Sequence, residues 1–175
     1  ISRDTSPKQF AILKELWNKS LYQLTLLRAL KLTTIDNVYI VATKSNYFHA
    51  IIQAEKLWIN INSKNIIIQP KMKETLPIVS LSARIIWSWN ILMMPSDHLI
   101  QDEENFVNIV KKWENYLKNW ILTFWIKPSK IETWYWYIEK NNEDKVLNFH
   151  EKPNYETADK YIKNWFLWNS WIYFF

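Results

Sequence analysis

Residues 38–68, VYIVATKSNYFHAIIQAEKLWININSKNIII, contain the pattern that decides the fold. Residues 38–42 are a continuous apolar, β-rich run, which is typical of a strand buried in a parallel sheet. An amphipathic stretch at residues 46–57 predicts a helix, and the run at 66–68 predicts a second strand. Because parallel strands need a crossover connection, this order indicates a βαβ unit.

The same alternation continues toward the C-terminus. It predicts a helix that Thr75 can cap and that runs to residue 86, a strand at 91–94, a helix capped by Asp102 that runs to 118, and a strand at 121–126. These separations suit further βαβ crossovers. We therefore expect an α/β fold with a doubly wound, mostly parallel, Rossmann-like sheet.

The two ends of the chain have their own local patterns. Ser6-Pro7-Lys8-Gln9 and Ser20-Leu21-Tyr22-Gln23 both have the shape of a capping box, so we expect helices that run to residues 16 and 30. After Pro128 the pattern predicts strands at 136–139 and 146–150, a helix at 155–163 and a strand at 171–175. A length of 175 residues fits one domain. The apolar final strand favours a chain that has been cut.

Composition excludes several classes of protein. No apolar run reaches the roughly 18 residues of a membrane span, and residues 1–10 have no export-signal pattern. Zero cysteines fit a reducing compartment. We expect a cytoplasmic protein that does not contact a membrane. The net charge of +5 suits a polyanion or a nucleoside triphosphate pocket and does not decide between them.

The glycine content is abnormal. The chain has 0 glycines and 12 tryptophans, where roughly 12 glycines are expected in a protein of this length. Folds with many turns need positions with positive φ, which glycine fills with little strain.

Several tryptophans stand where glycine is expected. Trp17, Trp58, Trp120 and Trp165 each follow an amphipathic stretch, at the place where a left-handed glycine commonly ends a helix. Residues 87–90, WSWN, lie in a short connection between a helix and a strand, which is another glycine habitat. A naturally aromatic-rich surface is the alternative. Our hypothesis is that most of these tryptophans stand for glycine.

A translation mechanism would produce this pattern. The chain is rich in Ile, Asn and Lys, which suggests an AT-rich genome. If that genome reads UGA as glycine, a table that reads UGA as tryptophan yields the printed sequence. UGG codons at Trp17, Trp58, Trp120 and Trp134 would exclude the hypothesis.

Two polar clusters follow predicted strands, where ligands bind in open α/β sheets. Met94-Pro95-Ser96-Asp97-His98 follows one strand, and Asp97 can hold a divalent cation against phosphate oxygens. Glu151-Lys152-Pro153 follows another, and its carboxylate and ammonium can bind sugar hydroxyls and a phosphate. The alternatives are a loop aspartate that caps a turn and a surface ion pair, and spacing alone favours them.

Other chemical signals are weak. His49, His98 and His150 lack the spacing of a histidine metal site. The run Trp134-Tyr135-Trp136-Tyr137 could stack on single-stranded nucleic acid. Basic residues do not cluster around it, so core packing or substituted glycine is favoured and we expect no nucleic-acid partner.

With tryptophan read as glycine, a series of short motifs follows in a specific order. They are Ser2-Arg3 with Ser6-Pro7-Lys8-Gln9-Phe10; residues 20–28, of the form S-x-x-Q-x-T-x-x-R; Ile68-Gln69-Pro70 with Glu74-Thr75-Leu76-Pro77; residues 94–100, MPSDHLI; residues 123–126 with 132–138, TFWI and ETWYWYI; residues 149–153, FHEKP; and residues 168–171, WNSW. This order resembles the mannose-1-phosphate guanylyltransferases, which are sugar-1-phosphate nucleotidyltransferases. In the resemblance Trp125, Trp134, Trp136 and Trp171 align with glycines, and Trp168 aligns with tryptophan.

The resemblance implies a reaction and a set of roles. Mannose 1-phosphate would attack the α-phosphate of GTP, with Mg²⁺ required, to give GDP-mannose and pyrophosphate. The implied catalytic residues are Lys8, on the triphosphate, and Asp97, on Mg²⁺. The implied nucleotide-binding residues are Arg3, Lys8, Gln69 and Thr75, and those for the sugar phosphate are Trp134, Tyr135, Glu151, Lys152 and Asn169.

The chain also departs from the family pattern. Residues 1–175 resemble a partial nucleotidyltransferase domain, without the glycine-rich phosphate loop at its start and without its C-terminal part, including a second metal-binding aspartate. Gln69 and Glu74 replace the commoner Glu and Asn, which affects the expected base specificity. We expect the chain as written to be inactive, because indoles at 134 and 136 would fill the sugar site.

Two kinds of alternative remain open. One is a related nucleotidyltransferase that uses UTP or dTTP, or another sugar phosphate. The other is a non-catalytic protein that binds nucleotides or nucleic acid, for which salt-sensitive oligonucleotide binding would be diagnostic. The residues carry no signal for an oligomeric state.

Overall fold

The computed structural model describes residues 7–69, 75–86, 90–117 and 120–175, and these ranges contain five α-helices and seven strands. In chain order they are α1 (Leu21–Leu30), β1 (Ile40–Thr43), α2 (Tyr47–Glu55), β2 (Ile66–Gln69), α3 (Thr75–Ile86), β3 (Leu92–Met93), α4 (Glu103–Trp113), β4 (Leu122–Ile126), β5 (Tyr137–Lys140), β6 (Val146–His150), α5 (Tyr155–Lys163) and β7 (Leu167–Phe174). The α/β class is confirmed. None of the helices in the described ranges is long and apolar enough to cross a membrane.

The βαβ unit at residues 38–68 forms as the sequence predicts. β1 and β2 pair in parallel, from Ile40 opposite Ile66 to Thr43 opposite Gln69. Helix α2 connects them and buries Ala50 on the first hydrophobic core. This core also contains residues of α1, whose burial against α2 removes apolar surface from water.

The remaining described strands form a sheet around β7, the last strand in the sequence. Phe174 pairs with both β3 and β4, and Trp168 pairs with both β4 and β5. Because a strand has two edges, β4 takes one edge of β7, and β3 and β5 share the other. β6 extends the sheet beyond β5.

Strand direction differs between the two sheets. The β1–β2 pair is parallel, whereas every pairing of β7 in the described residues is antiparallel, and so is the β5–β6 pair. The expectation of a mostly parallel sheet therefore holds for the first sheet and not for the second. Residues 137–150 form a hairpin, because a short turn joins β5 to β6 without a crossover helix. β7 follows helix α5 and pairs antiparallel with β3, β4 and β5.

The prediction of a first helix that runs to residue 16 is wrong. Residues 7–16 form two short 3-10 turns, Lys8–Phe10 and Lys14–Leu16, and Leu13 bridges to Lys19. Pro7 precedes the first turn without a side-chain cap, and Ser6 lies outside the described residues. At α1 the prediction is confirmed, because Ser20 and Gln23 complete a reciprocal capping box.

Other boundaries shift by a few residues. β7 begins at Leu167 rather than 171, and α4 ends at Trp113, after which Glu114–Tyr116 forms a 3-10 turn. Asp102 caps α4 through the amide of Asn105, as predicted. The end of this predicted helix, residue 118, lies outside the described residues.

Tryptophan occupies left-handed backbone at several of the positions where glycine is expected. Trp17, Trp58 and Trp165 have φ values of 53°, 61° and 63°, and Trp171 has 57°. For a bulky side chain such a φ is a genuine outlier. Trp87 and Trp89 lie outside the described residues, and Trp120 directly follows residues 118–119, which also lie outside them. The left-handed conformation of these three tryptophans therefore stays a prediction.

Candidate active site

A cleft of about 1700 Å³ is lined by residues of both sheets. β1 contributes Ile40 to Thr43, and Gln69 ends β2. From the second sheet the lining includes β3, part of β4, part of β7 and residues 94–100, the loop that follows β3. The two sheets therefore face a common space, with the predicted MPSDH loop at its wall.

One edge of β7 is open within this cleft. β3 pairs with Tyr173 and Phe174, β5 pairs with Leu167 and Trp168, and residues 169–172 between them line the cleft. Asn169 is 7% exposed, and its amide nitrogen donates to the carbonyl of Trp136 at 2.9 Å. Asn169 thus uses its backbone amide on this edge, and residues 170–172 continue the cleft wall beside it.

Asn169 is fixed by its own hydrogen bonds. Its Nδ2 donates to the Tyr173 hydroxyl at 3.0 Å, and its Oδ1 accepts from the Trp171 amide at 3.0 Å. Burial raises the pKa of Tyr173, and the bond from Asn169 opposes that shift. Tyr173 was not predicted as part of the site, although it falls within the predicted strand at 171–175. Only its alternation with Asn169 and Trp171 could have indicated it.

Lys8 and Asp97 meet in an ion pair. Lys8 Nζ lies 2.7 Å from Asp97 Oδ2, although the two residues are far apart in sequence. The Lys8 side chain is 61% exposed and that of Asp97 is 29% exposed. Because the ion pair is accessible to solvent, each group can leave its partner and bind a ligand of opposite charge. These two predicted catalytic residues are thus brought together.

His98 lies beside this pair, with its Nε2 3.8 Å from Asp97 Oδ1. Burial lowers the pKa of His98, Asp97 opposes that shift, and Lys8 and Arg28 add to it. The ring is therefore neutral at neutral pH. His98 was predicted only as part of the 94–98 cluster, without the spacing of a histidine metal site, and its place beside the Lys8–Asp97 pair was not predicted.

A buried arginine connects α1 to the start of α4. Arg28 is 1% exposed, and its Nη2 lies 3.3 Å from Glu103 Oε1, an ion pair without the alignment of a hydrogen bond. Lys31 Nζ lies 2.6 Å from the other carboxylate oxygen. Burial lowers the pKa of Arg28, and Glu103 opposes that shift. Because Glu103 opens the helix after residues 94–102, this bridge fixes one end of the loop that carries Asp97.

The predicted nucleotide-binding residues are only partly described. Gln69 lines the cleft, and its buried Oε1 has no hydrogen-bond partner within the described ranges. Thr75 is the first residue of α3, as predicted, and its side chain is not described. Arg3, Glu74 and the motif residues Ser2 and Ser6 lie outside the described residues.

The predicted sugar-phosphate residues separate into two groups. Tyr135 and Asn169 line the cleft, and the Tyr135 ring meets the Trp168 ring edge-on at 5.0 Å. Trp134 is 76% exposed and lies outside the lining, as do Glu151 and Lys152. The indoles that line the cleft are Trp125, Trp168 and Trp171. Trp134 and Trp136, which were expected to fill the sugar site, are not among the lining residues.

Glu151 and Lys152 form the turn between β6 and α5. Both side chains are exposed, and Lys152 Nζ lies 3.9 Å from Glu151 Oε1. Lys152 has a φ of 32°, a strained value for a residue with a Cβ. Such strain is found more often at functional turns, and it favours a role for this turn without assigning one.

The described residues contain no group of three or more His, Cys, Asp or Glu side chains that could hold a metal ion alone. Asp97 offers one accessible carboxylate beside the cleft. Mg²⁺ is commonly held by one or two carboxylates together with substrate phosphates and water. Asp97 therefore fits a magnesium ion that arrives with a phosphorylated ligand.

Comparison with known proteins identifies the family. The model of the nucleotidyl transferase family matches residues 1–175. The chain therefore belongs to the nucleotidyl transferase family.

Two relatives are similar in sequence to this chain over its whole length. The chain is 32% identical over 193 residues to a mannose-1-phosphate guanylyltransferase of Escherichia coli, covering 100% of the chain and 40% of that protein. It is 33% identical over 189 residues to mannose-1-phosphate guanylyltransferase RfbM of Salmonella typhimurium, of which it covers 38%. The chain thus spans about two fifths of the length of these relatives.

Two crystal structures share the fold. A mannose-6-phosphate isomerase from Helicobacter pylori is 30% identical with a TM-score of 0.86, over 100% of this chain and 68% of that one. A protein from Thermus thermophilus, titled mannose-1-phosphate geranyltransferase, has a TM-score of 0.82 at 24% identity, over 99% of this chain and 51% of that one. The second similarity concerns the fold alone.

Proposed function

We propose that this chain is part of an enzyme that transfers GMP from GTP to mannose 1-phosphate and releases pyrophosphate. The observation that carries the proposal is the ion pair of Lys8 with Asp97, which lines a cleft together with Gln69, Tyr135 and Asn169. The names of the relatives in Escherichia coli and Salmonella support this choice of substrates.

The reaction is a phosphoryl-centre displacement. A phosphate oxygen of mannose 1-phosphate forms a bond to the α-phosphorus of GTP, the α–β phosphoanhydride bond breaks, and pyrophosphate leaves. Catalysis of such transfers depends on in-line positioning and on neutralising phosphate charge. In this proposal Lys8 supplies a positive charge at the triphosphate, and Arg3 adds a second.

Asp97 would hold Mg²⁺ against the phosphates. When bound, the ion would neutralise phosphate charge and help to orient the triphosphate. The Lys8–Asp97 pair would then open, with Lys8 turning to phosphate oxygens and Asp97 to the metal. The exposure of Lys8 makes this exchange inexpensive in free energy.

Gln69 supports a nucleotide base that offers a hydrogen-bond donor, as guanine does with its amino group and uracil and thymine do with N3–H. Its buried Oε1 lacks a partner among the described residues, and an unpaired buried acceptor is unfavourable unless a ligand satisfies it. Guanine carries an exocyclic amino donor. Gln69 and Thr75 would therefore bind the nucleotide, with UTP and dTTP as the alternatives.

On the sugar side, Asn169 and Tyr135 would contact mannose from the cleft wall. Glu151 would accept hydrogen bonds from sugar hydroxyls, and Lys152 would pair with the sugar phosphate. Because both are exposed and outside the cleft lining, their turn would close on the ligand. In this proposal the backbone at Trp134 follows the substrate closely, and a glycine there would allow a nearer approach.

The test is pyrophosphate release by the full-length protein encoded by the reading frame that contains this chain. It is assayed as printed and with glycine at Trp17, Trp58, Trp125, Trp134, Trp136, Trp165 and Trp171. We expect the glycine form to release pyrophosphate from GTP and mannose 1-phosphate only with Mg²⁺, and more slowly from UTP or dTTP. Mannose 6-phosphate is included because the Helicobacter relative is titled an isomerase. Release with UTP or dTTP that equals or exceeds release with GTP would refute the proposed base.

A further inference from the structure

A buried glutamine lies behind the turn that carries Lys8. Gln53, in α2, is 7% exposed. Its Nε2 donates to the carbonyl oxygen of Phe10 at 2.6 Å, and its Oε1 accepts a short hydrogen bond from Ser20 Oγ. Both ends of the amide are thus used. A rotation of the amide group would break both bonds, so its orientation is fixed.

The helix that faces Gln53 secures it further. Gln23 Nε2 donates to the backbone carbonyl of Gln53 at 2.9 Å, and the Ser20 hydroxyl also accepts from the Gln23 amide at 3.1 Å. Ser20 and Gln23 therefore have two roles: they cap α1, and they orient Gln53. This second role was not predicted from the sequence motif.

Phe10 connects this network to the ion pair. It is the last residue of the 3-10 turn Lys8–Phe10, whose backbone bonds within the described residues are Phe10 N to Pro7 O and Ala11 N to Lys8 O. The Phe10 ring is buried between Tyr22 and His49, at centroid distances of 5.3 and 5.5 Å. The turn is thus fixed at Phe10, and Lys8 projects from its start to Asp97.

The ion pair alone is too weak to fix Lys8. The Lys8 side chain is 61% exposed, and exposed ion pairs contribute little to stability. A three-residue turn also has few bonds of its own. The buried amide of Gln53 therefore supplies the fixed point for the backbone under Lys8.

We propose that Gln53 is a positioning residue that acts through Lys8. It holds the Lys8–Phe10 turn so that the ammonium stays at the cleft, where a nucleoside triphosphate would bind. The inference rests on the proposed function for the role of Lys8, and on the described contacts alone for the anchoring of the turn.

The catalytic test is a double-mutant cycle in the full-length, glycine-corrected protein. Gln53→Met removes the amide and keeps the length of the side chain. We expect kcat for pyrophosphate release to fall by about 10- to 100-fold, since small displacements of a catalytic group have effects of this size, with KM for GTP changed by less than about threefold. In a Lys8→Ala background, the same change should lower kcat by less than about twofold.

Asn65→Leu is the matched control. Asn65 is also a buried amide that donates to backbone carbonyls, those of Asp36 and Val38, at 2.7 and 3.1 Å. It should lower the unfolding midpoint about as much as Gln53→Met and leave kcat within about twofold. Equal losses from Gln53→Met in both backgrounds would overturn the inference, as would an unchanged kcat.

A second measurement does not depend on activity. The Ala11 amide donates to the Lys8 carbonyl, so its hydrogen exchange reports on the turn. We expect hydrogen exchange at Ala11 to be at least about fivefold faster in Gln53→Met, which corresponds to the loss of about one hydrogen bond. In Asn65→Leu we expect no change. Unchanged exchange would refute the anchoring. If the protein releases no pyrophosphate at all, the proposed function fails and the exchange result still decides on the anchor.

Discussion

Trp58 shows at the scale of one residue why glycine belongs in this sequence. It has a φ of 61° and is 99% exposed, so its indole gains nothing from packing while its backbone is strained. The left-handed conformation destabilises an L-residue by roughly 1–2 kcal/mol. Glycine removes this strain, but its more flexible unfolded chain offsets roughly 0.5–1 kcal/mol of the gain in stability.

We therefore expect Trp58→Gly to raise the free energy of unfolding by about 0.5–1 kcal/mol. Trp58→Ala keeps a Cβ and should change it by less than about half a kcal/mol. Trp168→Gly should destabilise by about 3 kcal/mol or more, because Trp168 is buried in the core. Urea unfolding of the three variants measures this. If the glycine and alanine variants at 58 are equally stable, the strain argument is wrong.

His98 gives stability a dependence on pH. Burial lowers its pKa in the folded protein, so the unfolded state binds more protons between the two pKa values. This contribution is complete above the unfolded pKa of about 6.5 and is lost as pH falls from there toward the lowered folded value. We expect the urea midpoint to fall less steeply between pH 7 and pH 5 in His98→Gln than in the parent. Parallel curves would contradict the burial of a neutral ring.

The sequence predicted single residues well where one local rule governs them. A left-handed position after a helix is such a rule, and it located Trp17, Trp58 and Trp165. Trp171 was identified instead through the resemblance, and its φ of 57° arises inside β7, where no local rule applies.

At the scale of the element, α5 depends on its N-cap residue, Asn154. Asn154 Oδ1 accepts from the Thr157 amide at 2.9 Å, an N-cap bond on the turn that also holds Lys152. Asn154→Ala should lower the free energy of unfolding by about 1 kcal/mol, whereas Asn154→Asp should keep most of it. Chemical denaturation distinguishes the two; equal losses would mean that the cap does not act through its oxygen.

The bridge between α1 and α4 is a second test at this scale. Glu103→Gln leaves the Arg28 guanidinium buried without a counter-charge, and removing one partner of a buried pair costs about 3–5 kcal/mol. We expect a loss near the lower end, since Glu103 is partly exposed. Arg28→Met in the same chain should recover part of it. Glu104→Gln, at the exposed neighbouring position, should change stability by less than about half a kcal/mol.

The elements also show where local prediction fails. The Ser6–Gln9 and Ser20–Gln23 segments have the same capping shape, yet only the second begins an α-helix. In the first, the Phe10 carbonyl accepts from Gln53 rather than from an amide one turn later. A partner from α2 decides the outcome, and no window of neighbouring residues contains it.

For the whole molecule, the cleft predicts ligand-dependent stability. A ligand that binds only the folded state stabilises it by about 2.7 kcal/mol at 100 times its Kd. We expect GTP with Mg²⁺ to raise Tm of the full-length, glycine-corrected protein, and UTP to raise it less. Asp97→Asn should reduce the shift, and Asn148→Ala, on β6 away from the cleft lining, should not. A shift independent of Mg²⁺ would contradict the role of Asp97.

Some residues of the cleft could be predicted from the sequence, and others could not. Asp97 was found because its loop follows a predicted strand, and Gln69 was found through the family resemblance; both line the cleft. The contact of Lys8 with Asp97, and the separation of Lys152 from the cleft lining, depend on segments that are distant in sequence. Such long-range pairings leave no mark on local hydrophobic periodicity.

The central place of β7 has a consequence for biosynthesis. β1, α2 and β2 can associate while the ribosome is still adding residues, because their contacts are close in sequence. β3 and β4 have described strand partners only in β7, so their apolar edges wait, unpaired, until residue 174 has left the exit tunnel. At about 5–20 residues per second that interval lasts several seconds. A chaperone that shields nascent strands would therefore matter more to the yield of this domain than to its final stability.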